Sequence, residues 1–118
     1  GDLLCVKTVS VQNVEGLLAR NERLVCFFVS DSGSVVVVLV VGMIVAGIAT
    51  VWGGRELAGA DAIRESGWSA EEAPSFNKGD EMGRFFLGST VVLVTEASDL
   101  NWCDAPGDAV EVRAALSV

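Results

Sequence analysis

Val35-Val36-Val37-Val38-Leu39-Val40-Val41-Gly42-Met43-Ile44-Val45-Ala46-Gly47-Ile48-Ala49-Thr50-Val51-Trp52 carries no charge over 18 residues, and its reading decides the fold. The length meets the lower bound for a membrane-spanning helix. Three features argue for strands instead. The first half is almost all valine, a β-branched residue that loses rotamer freedom in a helix. Gly42 and Gly47 fall where a strand can bend or bulge. No basic cluster flanks either end. Two central strands joined around Gly42, buried on both faces, account for the run.

The flanking sequence fits that reading. Upstream, Leu24 to Val29 reads as a buried strand and Ser30-Asp31-Ser32-Gly33-Ser34 as a turn of small polar residues that bond their own backbone. Asn13 to Arg23 reads as a turn or short helix with Leu17-Leu18 packing inward. Arg20 and Arg23 are expected to pair with Glu15 and Glu22. Gly1 to Val11 alternates weakly and is expected to be a strand, with Asp2 and Lys7 outward. Downstream, Arg55 to Trp68 has a patchy helical pattern, with Leu57, Ala58, Ala62 and Ile63 on one side. Ser75 to Gly83 reads as a short strand and a Lys-Gly-Asp turn. Gly107 to Val118 is expected to form a last strand.

The 118 residues fit a single domain, residues 1–118, with its own core. Thirteen glycines suit many strands and tight turns. A net charge of −8 leaves nothing to neutralise a row of phosphates, so nucleic acid is excluded as a partner. Cys5, Cys26 and Cys103 form no metal-binding or disulfide pattern and read as small apolar residues in a reducing compartment. No metal site is expected. There is no histidine, so Ser-His or Cys-His catalysis cannot be completed within these residues. The chain opens at Gly1 without a methionine or leader-like segment, and is expected to be a piece of something longer or a processed product.

The chemistry-bearing stretch is Phe85-Phe86-Leu87-Gly88-Ser89-Thr90, followed by Val91-Val92-Leu93-Val94. An apolar lead-in ends at a Gly-Ser bond and a β-rich run begins straight after it. Two readings fit. Glycine and serine make an ordinary turn into a strand. Alternatively, Gly88 removes a side chain that would crowd attack on its carbonyl, and the Ser89 hydroxyl is a nucleophile aimed at its own chain. Phe85 and Phe86 read as core, and Trp52, Trp68 and Trp102 as packing residues. Lys78, Asp80 and Glu81 read as a solvated turn.

Three ordered segments resemble the phosphatidylserine decarboxylases. Lys78-Gly79-Asp80-Glu81-Met82-Gly83-Arg84-Phe85 is similar to that family's Lys-Gly-x-Glu-x-Gly-x-Phe segment, and it runs into Leu87-Gly88-Ser89-Thr90, similar to the Leu-Gly-Ser-Thr processing motif. Gly1-Asp2-Leu3-Leu4, continuing to Asn13 through Arg23, resembles the middle segment. Val41-Gly42 to Gly47-Ile48, ending at Thr50-Val51-Trp52, resembles the glycine-containing strand pair. The resemblance covers nearly the whole chain and favours the nucleophile reading of Ser89.

The resemblance implies a mainly-β fold, a barrel-sandwich-hybrid-like domain of short strands with one or two short helices. It implies self-cleavage between Gly88 and Ser89, so that 1–88 ends a large subunit and 89–118 is the small subunit. Ser89 would become a pyruvoyl cofactor whose carbonyl forms a Schiff base with phosphatidylserine, an electron sink as carbon dioxide leaves and phosphatidylethanolamine forms. The parent protein is expected to lie peripherally on the cytoplasmic face of a bacterial inner membrane, held there by an N-terminal segment outside this chain, with no transmembrane helix within it. The alternatives are a non-catalytic β-barrel binding module with Gly88-Ser89 uncut, and a pyruvoyl decarboxylase for another serine-containing substrate. In the family, a histidine-containing segment just upstream of Gly-Asp-Leu and an aspartate further upstream assist the chemistry. The isolated piece is therefore expected to be inactive. Val41-Gly42-Met43 is one residue shorter than the usual family form, which inside a strand would reverse side-chain facing unless a bulge absorbed it.

Overall fold

The computed structural model describes residues 1–43, 47–56, 62–87, 90–96 and 98–118. Its elements in chain order are α1 (Thr8–Asn13), α2 (Leu17–Arg20), β1 (Arg23–Ser30), β2 (Gly33–Val40), β3 (Ile48–Thr50), β4 (Gly54–Glu56), β5 (Gly83–Phe85) and β6 (Thr90–Thr95). The fold is mainly β with two short helices, as the sequence implies. The six strands form two antiparallel three-stranded sheets, ordered β1-β2-β6 and β4-β3-β5. They do not close into a barrel among the described residues.

The uncharged run is indeed strand-forming, and each half is central to a sheet. The two halves do not pair with each other. β2 lies between β1 and β6, whereas β3 lies between β4 and β5. The valines that looked like one strand pair therefore mark a crossing from one sheet to the other. The Val41-Gly42-Met43 segment falls in that crossing, after β2 has ended. It breaks no ladder register, and Met43 N–H instead bonds the Leu4 carbonyl at 3.3 Å.

The β1–β2 hairpin closes at Ser30 opposite Gly33, so Asp31 and Ser32 form a two-residue loop. The Ser30 hydroxyl donates to the Gly33 carbonyl at 2.9 Å and accepts from Ser32 N–H at 3.2 Å. Gly33 has φ +112°, a conformation costly for any residue with a Cβ. β1 corrects the expectation of a buried strand: only one of its faces is covered. Leu24, Cys26 and Phe28 point inward, while Val25, Phe27 and Val29 face out, Val29 at 89% exposure. An unbroken apolar run has no polar alternation to show that one face is uncovered. At the far end of β6, Glu96 continues the ladder by accepting from Ser34 N–H at 2.8 Å, and that bond lowers its carboxyl pKa.

The core joins the two sheets. Leu39, Val41 and Ile48 are buried, with Leu24, Val37, Met82 and Phe85 packed around them. Cys26 is buried, and desolvation, with the Glu56 charge second, raises its thiol pKa. Cys103 is exposed, against expectation, and Cys5 is half-buried. A second apolar cluster is aromatic: Phe28, Trp52, Trp68 and Phe76 meet edge-on at centroid distances of 5.7–6.2 Å. Trp52 and Trp68 pack as expected, but Trp102 stands exposed.

Four expectations are corrected at the periphery. Gly1 to Val11 is no strand. Asp2 makes one bridge to Asn21, and α1 satisfies its own backbone through Val11 N–H to Lys7 O and Val14 N–H to Ser10 O. The region predicted helical begins in β4 and is non-helical from Ala62 to Trp68, while Leu57 and Ala58 lie outside the described residues. The predicted last strand shrinks to a Trp102–Ser117 bridge, because Val110, Val112 and Val118 find no apolar surface to cover. Arg20 pairs with Asp2 at 2.9 Å, and Arg23 donates to the Leu18 and Ala19 carbonyls, so neither makes the predicted pair.

Asn21 is fully buried yet fully engaged. Its Nδ2 donates to the Leu4 carbonyl at 2.8 Å and the Val41 carbonyl at 2.9 Å, and its Oδ1 accepts from Leu4 N–H at 3.0 Å. Removing it leaves the Leu4 N–H and the buried Val41 carbonyl without this partner, while the Leu4 carbonyl keeps Met43 N–H, and each unpaired group is costly. Asn21→Ala should lower unfolding free energy by roughly 3 kcal/mol in denaturant titration, and a loss below about 1 kcal/mol would contradict this account of the amide.

Candidate functional site at the second sheet crossing

The Lys78-to-Phe85 segment has a separate physical task for each of its glycines. Gly79 turns the chain at φ +85°, and Asp80 Oδ2 accepts from Asn77 N–H at 2.8 Å to close the turn. This is the solvated turn that the sequence predicts. Glu81 then pairs with Arg84 at 2.7 Å. Gly83 starts β5 opposite Thr50, where a Cβ would sit 2.6 Å from the Ala49 carbonyl oxygen. Only a residue without a side chain lets β5 lie this close to β3.

β5 belongs to one sheet and β6 to the other. The chain therefore changes sheets between Phe85 and Thr90, and this crossing contains Gly88 and Ser89. Both of these residues lie outside the described residues, as does the bond between them. Their flanks are described. Upstream, Phe85 pairs with Ile48, and Phe86 N–H adds a further bond to the Gly47 carbonyl at 3.3 Å. Downstream, Thr90 pairs with the buried Val40 and opens a register that runs without a break to Val35 opposite Thr95. Residue 89 is thus followed directly by a strand paired along its whole length.

Phe85 packs on the core as predicted, but Phe86 does not. Phe86 is 52% exposed, its ring beneath the Arg55 guanidinium at 4.9 Å and beside Gly47. Strand geometry offers the missed signal: neighbouring residues of an extended chain face opposite ways, so Phe85 inward requires Phe86 outward. Gly47, at φ +120°, also lines a groove of about 870 Å³ bounded by Arg23, Val25, Phe27, Ile48 and Glu56. Among the described residues no cluster of metal-ligating side chains forms, and no helix is long and apolar enough to cross a membrane.

The chain is a mainly-β fold in which Leu87-Gly88-Ser89-Thr90 runs from one sheet to the other, and comparison with known proteins gives the family. The model of the phosphatidylserine decarboxylase family matches residues 1–117, and the chain belongs to that family. It is 43% identical over 102 residues to the phosphatidylserine decarboxylase proenzyme of Saccharophagus degradans, covering 86% of this chain and 36% of that protein. It is 47% identical over 105 residues to the proenzyme of Psychrobacter cryohalolentis, covering 88% and 36%, and 39% identical over 118 residues to that of Alcanivorax borkumensis, covering 98% and 40%. The chain thus spans a little over a third of the length of these relatives. No solved structure matches it.

The two motif glycines should respond differently to substitution. Gly83→Ala, which drives a methyl group into backbone, should cost about 2 kcal/mol or more, whereas Gly79→Ala, with open space around it, should cost about 1 kcal/mol for its positive φ. Denaturant midpoints in the reverse order would contradict the packing described for β5.

Proposed function

We propose that this chain is the catalytic-core portion of a longer phosphatidylserine decarboxylase proenzyme, and that the proenzyme cuts itself between Gly88 and Ser89. Residues 1–88 end the large subunit and residues 89–118 form the small one. Family membership, together with the position of Leu87-Gly88-Ser89-Thr90 between two independently paired strands, supports this reading.

The processing chemistry balances with water as the only co-reactant. Ser89 Oγ attacks the Gly88 carbonyl carbon, the Gly88–Ser89 C–N bond breaks, and the hydroxyl proton ends on the freed amine. Loss of the Cα hydrogen of residue 89 and cleavage of its Cβ–Oγ bond release Gly88 as a carboxylate. The remaining enamine tautomerises, and water displaces ammonia to leave a pyruvoyl group at residue 89. The absence of histidine means that a histidine base, if used, comes from another part of the family chain.

A pyruvoyl group supplies an electron sink for decarboxylation of an amine-bearing substrate, which no unmodified side chain provides. The residues of this chain have supporting tasks. β5 holds the upstream end of the crossing and β6 the downstream end. β6 also keeps the small subunit attached to β2 after the cut, since its pairing does not depend on the broken bond. The substrate is phosphatidylserine and the product phosphatidylethanolamine. Membrane contact is made peripherally by a part of the family chain outside these residues, at the cytoplasmic face of a bacterial inner membrane.

In the full-length protein, Ser89→Ala should abolish both chain cutting on a denaturing gel and carbon dioxide release from phosphatidylserine. Wild-type fragments should co-purify under native conditions and part only on denaturation. Carbon dioxide release by the uncut Ser89→Ala protein would sink the proposal. Turnover of free serine in preference to phosphatidylserine would overturn the substrate assignment.

A further inference from the structure

The crossing between the sheets is short, and its upstream end is held by more than strand pairing. β5 ends at Phe85, yet Phe86 still donates its N–H to the Gly47 carbonyl at 3.3 Å. Its side chain is fixed as well. The Arg55 guanidinium lies over the ring at 4.9 Å. A Cβ built on Gly47 would stand 3.6 Å from the ring and 3.7 Å from Arg55 Nε, so glycine, ring and guanidinium form a stack. Gly47 can lie against the ring because its φ of +120° suits glycine. Register accounts for the alignment. Ile48 pairs with both Phe85 and Glu56, so Gly47 falls beside Phe86, and Arg55 sits one position from Glu56 on β4.

The stack is surplus to the needs of the core. Phe86 is half-exposed and belongs to neither apolar cluster, so burial does not explain its hold. The brevity of the crossing explains it. From Phe86, held in one sheet, to Thr90, held in the other, only Leu87, Gly88 and Ser89 intervene. For a serine hydroxyl to meet its own preceding carbonyl, the peptide between them must be held in a rare conformation, and both ends must be fixed to hold it there. β6 fixes one end. The Gly47–Phe86–Arg55 stack is placed to fix the other.

We infer that Phe86, held between Gly47 and Arg55, is a positioning residue for cleavage of the Gly88–Ser89 bond. The inference rests on the self-cleavage reading proposed for this chain. Phe86 has no group that can take a proton. It limits the motion of the chain two residues ahead of the bond, so the Ser89 Oγ and the Gly88 carbonyl carbon spend more time within reach of each other. A flat ring that can lie under a guanidinium is required, and bulk alone does not suffice.

The test is a time course of chain cutting in the full-length protein, read as fragment ratio on a denaturing gel. Phe86→Ala and Phe86→Leu should both cut at least about tenfold more slowly than wild type, and Phe86→Tyr should restore cutting to within about twofold. Thermal unfolding of the same variants in a Ser89→Ala background separates positioning from folding. There the melting temperatures should stay close together, because Phe86 is not a core residue. Wild-type cutting rates for Phe86→Ala or Phe86→Leu would overturn the inference. So would a melting temperature that falls in step with the cutting rate. A wild-type chain that is never cut at this bond would overturn the self-cleavage reading itself, and this inference with it.

Discussion

One buried side-chain amide holds the place where the chain leaves its first sheet. Asn21 bonds Leu4 on one side and Val41 on the other through both its amide nitrogen and its oxygen, and it is wholly shielded from water. Val41 is the first residue beyond β2 and belongs to the core that continues into Ile48 at the start of β3. The amide thus secures the departure of the chain from one sheet, and the core takes it up in the next. An unsatisfied amide at that depth would be costly, so the site tolerates only a group that can make all three bonds. The N-terminal segment is recruited to the same residue, through the bridge between Asp2 and Asn21.

The molecule contains two crossings between sheets, and they are treated differently. The first, after Val40, is anchored by the buried amide and by apolar packing. The second, after Phe85, carries the Gly-Ser bond and is anchored at its flanks, by β6 pairing downstream and by the Phe86 stack upstream. The described part of the Lys78-to-Thr90 sequence has a separate task at each position. Gly79 turns, Gly83 permits close approach to β3, Phe85 enters the core and Phe86 is held outside it.

The mainly-β character was legible in Val35 to Val41, because a β-branched run with interrupting glycines has few ways to be a helix. Which strands pair was not legible. Sequence adjacency suggested that the two halves of the run would meet, whereas side-chain packing at Leu39, Val41 and Ile48 decides that they lie in different sheets. The exposed face of β1 was hidden because Val25, Phe27 and Val29 look no different from Leu24, Cys26 and Phe28. Lys78-Gly79-Asp80 was readable as a turn because its bonds are local. Asn21 was not readable as a buried pin, since its partners lie 17 and 20 positions away. Gly88 and Ser89 were legible as a pair by sequence alone, and the role proposed for them rests on the chemistry of that bond and on the family.

That chemistry leaves a definite covalent trace. The most direct measurement is the intact mass of the full-length protein after denaturation. The account predicts two fragments that meet between Gly88 and Ser89, the smaller lighter by one ammonia than the unmodified chain from Ser89 onward, and blocked to N-terminal sequencing. A single unbroken chain, or a small fragment with a free serine at its start, would contradict it.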